Sequence, residues 1–293
     1  MQLKNYLKIK SDQIELHLGK LVPEREVPQN LLFQAARYSL TSSGKRLRPI
    51  LALATTEMLD GDTNIALAPA CTLEMIHTYS MIHDDLPCMD DDDFRRGKPT
   101  LHKVYPEGHA VLAGDFLHTH AFQILANDPN LSSEQKVDLI SILAKSSGGD
   151  GMIAGQVMDL EAENKEIDLE KLKWIHQHKT GALIQASIEF GAVLAQASPA
   201  HSKALQQFGE NIGLAFQIVD DILDVTSSKE KHGKALSSDV SNSKATYVSL
   251  LGLENAEATA SSLLQTSLDH LDSLPFNTTI LSKIAEFIVH RCY

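Results

Sequence analysis

Residues His77–Thr100 read HTYSMIHDDLPCMDDDDFRRGKPT, and how this stretch folds governs the reading of the chain on either side of it. Six aspartates (Asp84, Asp85, Asp90, Asp91, Asp92, Asp93) precede Arg95 and Arg96, and Pro87 interrupts after the first two acids. Two like charges 4 Å apart repel by about 4 kcal/mol at an effective dielectric near 20, so the cluster needs cations or full hydration. By composition alone it could be a solvated acidic loop. The backbone argues for more. Leu73, Ile76 and Met81 recur at helical spacing and Pro87 disfavours helical geometry at Leu86, which predicts a helix ending there. Asp84 and Asp85 then sit at the negative end of a helix dipole, unfavourable by a few tenths to about 1 kcal/mol each. A divalent cation reverses that sign. Oxygen-only ligands suit Mg²⁺, which takes one or two carboxylates plus water and phosphate oxygens. On a straight helix Asp84 and Asp90 would lie about 240° apart, so only a break such as Pro87 lets them converge.

Helical periodicity extends outward from this stretch in both directions, and no run of strict apolar/polar alternation competes with it. Candidate helices cover 2–19, 29–41, 48–59, 64–86, 107–127, 134–148, 150–163, 169–197, 200–230, 244–252, 255–273 and 278–291. Ser132 and Gln135 have capping-box spacing, and Pro49, Pro106 and Pro199 stand where first turns begin. The fold expected is all-α. No Gly/Ser/Pro-rich linker divides the chain, and 229–243 (KEKHGKALSSDVSNS) is the one long polar interruption in its second half. We therefore expect one domain over 1–293.

The 293 residues, with 43 % hydrophobic and 22 % charged side chains, can build a large core. There is neither a spanning apolar stretch nor a signal-peptide core near the start, which makes the cytoplasm the expected location and a membrane an unexpected partner. Cys71, Cys88 and Cys292 are too few and too scattered for a disulfide framework or a structural zinc site. A formal charge of -12 argues against nucleic acid, and any anionic substrate would need local positive charge or metal.

Such local charge is present. In Gly44-Lys45-Arg46-Leu47-Arg48-Pro49, a helix opened by Pro49 places three basic residues at its positive end, the wrong sign for stability and the right one for an anion. The segment is not a Walker A loop, since Ser39 and Arg46 stand where Gly and Ser/Thr are required. Gly155-Gln156-Val157-Met158-Asp159 offers Gln156 and Asp159 on one helix face. Lys179-Thr180-Gly181 puts a helix-weakening glycine inside a long helix, which suggests a kink or a close approach to a ligand. In Phe216–Asp224, FQIVDDILD, the residues Gln217, Asp220 or Asp221, and Asp224 form one stripe, with Asp220 and Asp224 one turn apart and able to share a cation. Lys234 and Asp239 follow in the polar interruption, and Lys244 comes directly after it.

The ordered set GKRLRP, DDLPCMD with RRGKPT, GQVMDL, KT at 179–180, FQIVDDILD and GK with a later KATY resembles the all-trans short-chain polyprenyl diphosphate synthases, particularly the bacterial farnesyl type, over nearly the whole chain. The resemblance implies a bundle of about ten to twelve helices around a deep central cavity, usually as a homodimer. It implies that an allylic diphosphate ionises, that isopentenyl diphosphate attacks the cation, and that proton loss gives a chain longer by five carbons. By the same resemblance Asp84 and Asp90 bind Mg²⁺ on one side of the allylic diphosphate and Asp220, with Asp224, on the other. Three ions are implied, two on the Asp84/Asp90 side and one on the Asp220 side, with Mn²⁺ as a substitute. Asp85 and Asp221 match motif positions with a less direct share in ligation. Arg95, Lys179, Gln217, Lys234 and Lys244 are implied contacts of the allylic diphosphate, and Thr180 lies near the reacting carbons. Lys45, Arg48, His77 and Arg96 hold isopentenyl diphosphate. Tyr79, five residues before Asp84 and beside the small Ser80, is implied to end growth at fifteen carbons, with C10 and C20 products as rivals. A class I terpene cyclase needs no second diphosphate site, and a non-catalytic subunit would be expected to have lost part of the acidic set.

Overall fold

The computed structural model describes residues 2–231 and 245–290, with side chains 227–231 left aside. Lys234, Asp239, Lys244, Arg291 and Cys292 lie outside the described residues. The chain is all-α apart from one two-stranded ribbon among the described residues. Its contacts divide it into two compact units, 1–141 and 142–293.

The first unit is built on α4 (Thr63–Asp84), which packs against α1 (Leu3–Leu21), α2 (Asn30–Leu40), α3 (Leu47–Met58) and α6 (Glu107–Asn127). Its N-cap Asp62 accepts the Asn64 N–H at 2.8 Å, satisfying one of the orphan donors of the first turn. The helix is surrounded by protein rather than amphipathic: Leu73, Met75 and Ile76 are fully buried, each contributing about 1.5–3 kcal/mol. It ends at Asp84, with Asp85 as C-cap, two residues short of the expected end. Between α4 and the short α5 (Leu101–Val104) run β1 (Phe94–Arg95) and β2 (Lys98–Pro99), an antiparallel pair that the sequence reading lacked. The two connecting residues, Arg96 (φ 54) and Gly97 (φ 76), both have positive φ, as a tight two-residue hairpin turn requires. Farther on, α7 spans Ser133–Ser147 and opens with the expected capping box: Ser132 N–H donates to Gln135 Oε1, and Gln135 N–H to Ser132 Oγ, each at 3.1 Å.

In the second unit α8 (Met152–Ala162) is followed by α9 (Leu169–His176), a π-helical turn (Gln177–Gly181) and α10 (Ala182–Leu194). The sequence predicts one continuous helix over 169–197, and the π turn corrects that. α11 (Pro199–Lys231) is the longest helix and packs against α10, α13 (Leu253–Asp272) and α14 (Thr279–Val289). The short α12 (Tyr247–Leu251) carries a capping box between Thr246 and Ser249, and Gly252 (φ 80) divides it from α13. Leu172, Leu214, Ile218, Val219, Tyr247, Ala256 and Ala260 form the apolar cluster on which α9, α11, α12 and α13 meet.

Candidate active site

The break after α4 does what Pro87 allows. Past Asp85 the chain turns tightly: Met89 N–H donates to Leu86 O at 2.8 Å and Asp90 N–H to Asp84 O at 2.9 Å. A direct backbone bond thus joins the two aspartates that a straight helix would hold apart. Asp91 takes the left-handed conformation (φ 49) that completes the turn, one that aspartate tolerates better than most residues.

The remaining acids of the run find bases nearby. Arg95 Nε donates to Asp85 Oδ1 at 2.5 Å and Arg95 Nη2 to Asp92 Oδ2 at 3.1 Å. Lys103, on α5, pairs with Asp93 at 2.8 Å and lies 3.6 Å from Asp91. Burial pushes the Asp85 carboxyl up to about 6 against the opposing pull of Arg95. Asp85 is therefore bonded to Arg95, while Asp84 and Asp90 are the pair gathered by the backbone. Among the described residues no group of three or more His, Cys, Asp or Glu side chains is arranged to hold a metal. Two carboxylates still fit Mg²⁺, whose other positions water and phosphate oxygens fill.

A basic cluster belongs to the same unit. A Cβ on Gly44 would come 2.6 Å from Arg96 Nη1, so glycine lets that guanidinium lie against the GKRLRP backbone. His77 is half-buried, and burial first, then the charges of Arg48, Arg96, Arg95 and Arg46, hold its imidazole well below the usual range and neutral at pH 7. Lys45 is exposed and Arg48 half-buried. Arg46 is corrected from an anion-facing base to a structural one. It is 1 % exposed, adopts φ 50, and bonds Glu74 Oε1 at 2.8 Å, Leu40 O at 3.0 Å and Ser42 O at 2.5 Å. Three adjacent bases look equivalent in sequence, and the buried Glu74 that claims Arg46 gives no local signal.

Tyr79 is 7 % exposed and meets the His83 and His118 rings edge-on, with centroids at 5.6 and 4.9 Å, and His118 in turn meets Phe122 on α6 at 5.4 Å. Burial pushes the Tyr79 phenol up to about 12. A Cβ on Gly114 would fall 2.2 Å from His83 Nε2, so glycine lets the α6 backbone lie against the His83 ring. Ser80 donates to His77 O at 2.8 Å.

In the second unit the π turn displaces Lys179 and Thr180 from the register of a plain helix. Glycines hold it on two sides: a Cβ on Gly155 of α8 would lie 2.1 Å from Lys179 N, and one on Gly213 of α11 would lie 3.0 Å from Gly181 Cα. Gly181 thus serves a close approach of backbone to backbone. Lys179 Nζ pairs with Asp159 Oδ2 at 2.7 Å, and Thr180 Oγ1 donates to Gln217 Oε1 at 2.8 Å. Asp220 and Asp224 are half-buried on α11, whereas Asp221 is buried, accepting the Tyr247 N–H at 2.8 Å and contacting His176 Nε2 at 3.1 Å. His176 carries no signal in the sequence, because one histidine inside a long expected helix forms no motif.

A polyprenyl synthetase profile matches residues 29–273. The chain belongs to the polyprenyl synthetase family. Among the polyprenyl synthetases it is 42 % identical over 293 residues to a farnesyl diphosphate synthase of Geobacillus stearothermophilus, covering 99 % of this chain and 98 % of that one. It is likewise 42 % identical to a geranylgeranyl diphosphate synthase of Cyanophora paradoxa, over 99 % of this chain and 96 % of the relative. The crystal structure of an FPP/GFPP synthase from Zymomonas mobilis superimposes with a TM-score of 0.88 at 38 % identity, covering 98 % of each chain. No helix among the described residues is long and apolar enough to cross a membrane.

Proposed function

We propose that the chain is a prenyltransferase that condenses isopentenyl diphosphate with an allylic diphosphate, dimethylallyl or geranyl, to give farnesyl diphosphate and diphosphate. The observation that carries this reading is the Asp90 N–H to Asp84 O bond, which brings the backbones of the two aspartates together beside a hairpin whose Arg95 and Arg96 also bear on His77. In the reaction the allylic C–O bond breaks, the C4 alkene of isopentenyl diphosphate forms the new C–C bond, and a proton leaves to the released diphosphate. Asp84 and Asp90, and on the other acidic run Asp220 and Asp224, would hold Mg²⁺; bound, it would supply the positive charge that makes diphosphate a competent leaving group.

The chain's own groups do the rest. Lys45, Arg48 and Arg96 anchor the diphosphate of isopentenyl diphosphate, with a neutral His77 among them able to donate a hydrogen bond without adding charge. Lys179 and Gln217, with Lys234 and Lys244 from outside the described residues, would stabilise the charge that develops on the departing diphosphate. Arg95 positions Asp85 and faces the same anion. Thr180 borders the reacting carbons, and a cavity closed to water protects the cation formed there. One domain over 1–293, acting in the cytoplasm as a homodimer, fits this chemistry.

Tyr79, with Ser80 beside it, sets product length by ending the cavity at fifteen carbons. The 42 % identity to a geranylgeranyl diphosphate synthase favours C20 as the second reading. Incubation with isopentenyl diphosphate, each allylic primer and Mg²⁺, followed by chromatography of the dephosphorylated products, is expected to give farnesol. Absence of condensation with every primer would remove the proposal. In the same assay Tyr79→Ala is expected to shift the product to C20 or longer, and an unchanged product would transfer the length stop to another residue.

A further inference from the structure

One buried imidazole outside the family-type motifs is joined directly to the second acidic run. His176 ends α9, and its Nε2 lies 3.1 Å from Asp221 Oδ2, both residues being buried. A carboxylate oxygen accepts, so Nε2–H donates. The same Oδ2 accepts the Tyr247 N–H at 2.8 Å, and the Tyr247 ring stacks on the imidazole with centroids 5.6 Å apart and planes 22° from parallel. The other carboxylate oxygen faces Gln217 Nε2 at 3.5 Å, and Gln217 Oε1 accepts the Thr180 hydroxyl at 2.8 Å. Thr180 lies in the π turn that begins directly after His176. The contacts therefore close a ring: His176, Asp221, Gln217, Thr180 and back through the turn.

We propose that His176 is a positioning residue, holding Asp221 so that α11 presents Asp220 and Asp224, and the π turn presents Lys179 and Thr180, in fixed register. The inference rests on the function proposed above and extends it to a residue given no role there. Successive helix residues are about 100° apart, so Asp220 and Asp224 lie about 40° from each other and to one side of Asp221. A bond that fixes the rotation of Asp221 fixes theirs. Displacement by about 1 Å can cost roughly 100-fold in rate, so a hydrogen bond remote from substrate is enough to matter. A histidine present only to fill space would serve as well with any ring of its size.

That contrast gives the test. His176→Phe keeps a ring against Tyr247 and removes the N–H, whereas His176→Gln keeps a donor near Nε2. We expect His176→Phe to lower kcat by about 10- to 100-fold while KM for isopentenyl diphosphate holds. It should also weaken Mg²⁺-dependent binding of inorganic diphosphate in calorimetry and speed amide exchange at Tyr247. His176→Gln should restore most of all three. Wild-type rate, binding and exchange in folded His176→Phe would overturn the proposal, as would a His176→Gln variant equally impaired. If His176→Phe does not fold, His176→Asn, whose shorter amide falls short of Asp221, is read against His176→Gln in its place. A wild-type chain that condenses nothing would sink the proposed function, while Tyr247 exchange and diphosphate binding would still decide the role of His176.

Discussion

At the scale of single residues, the aspartates of 84–93 divide by what the fold does with each. Asp85 and Asp92 share Arg95, Asp91 and Asp93 share Lys103, and a backbone bond draws Asp84 and Asp90 together. The division predicts unequal effects from equal substitutions. Asp84→Ala is expected to lower kcat by about 100- to 1000-fold, the scale of losing a preorganised electrostatic partner, with circular dichroism unchanged. Asp93→Asn, at a solvent-exposed ion pair, is expected to stay within a few-fold of wild type in the same assay. Comparable rates in the two variants would remove the metal assignment. Residue type and spacing made Asp84, Asp90 and the basic run at 45–48 stand out, while only the family resemblance set His77 and Arg96 beside them. They could not separate Arg46 from Lys45 and Arg48, because the partner that takes Arg46 inside is Glu74, 28 residues on. Nor could they show that Arg95 is shared between two aspartates, which needs the hairpin.

Elements were the most legible scale, for a physical reason. Apolar periodicity and cap chemistry are local, so the expected helices 107–127 and 134–148 fall within a residue of Glu107–Asn127 and Ser133–Ser147. Two departures from local rules were missed. Over 169–197 the apolar pattern continues through Gln177–Gly181, and only tertiary neighbours reveal that the turn there is π-helical. The hairpin 94–99 is too short to alternate, and its Arg96-Gly97 turn lies hidden in a run of charge. The π turn carries its own prediction. Gly155→Ala would drive a Cβ to within 2.1 Å of the Lys179 backbone nitrogen, where no flexible side-chain end can yield. The expected result is a stability loss of about 1–3 kcal/mol in urea unfolding, with a fall in kcat from displaced Lys179 and Thr180. Wild-type stability would mean that α8 moves aside without strain.

For the molecule as a whole, a charge of -12 must coexist with binding of two anions, and the Arg48, Arg95, Arg96 cluster is the local reversal of sign. Burial of His77, reinforced by that positive charge, leaves a signature in acid. His77 is neutral when folded and its folded pKa lies well below 6.5, so the unfolded chain binds the proton more readily. His77 therefore costs no stability above about pH 6.5 and lowers it progressively as pH falls below that value. Urea midpoints measured from pH 7.5 to 5 should decline, His77→Gln should flatten part of the decline, and the His77 ring resonances should not titrate near 6.5. An ordinary titration near 6.5 would show that neither burial nor the guanidinium groups act on it.

The pairing of four acids with Arg95 and Lys103 also bears on when metal arrives. With Arg95 and Lys103 balancing those acids, the proposed site would draw metal mainly through its need for phosphate oxygens, because Mg²⁺ is strongly hydrated and takes only one or two carboxylates. Metal and substrate are then expected to be recruited jointly, each completing the other's coordination. Calorimetry should register weak binding of Mg²⁺ alone, weak binding of inorganic diphosphate alone, and a much tighter event when both are present. Between turnovers the protein would stand folded and idle, drawing on magnesium only when a diphosphate comes with it.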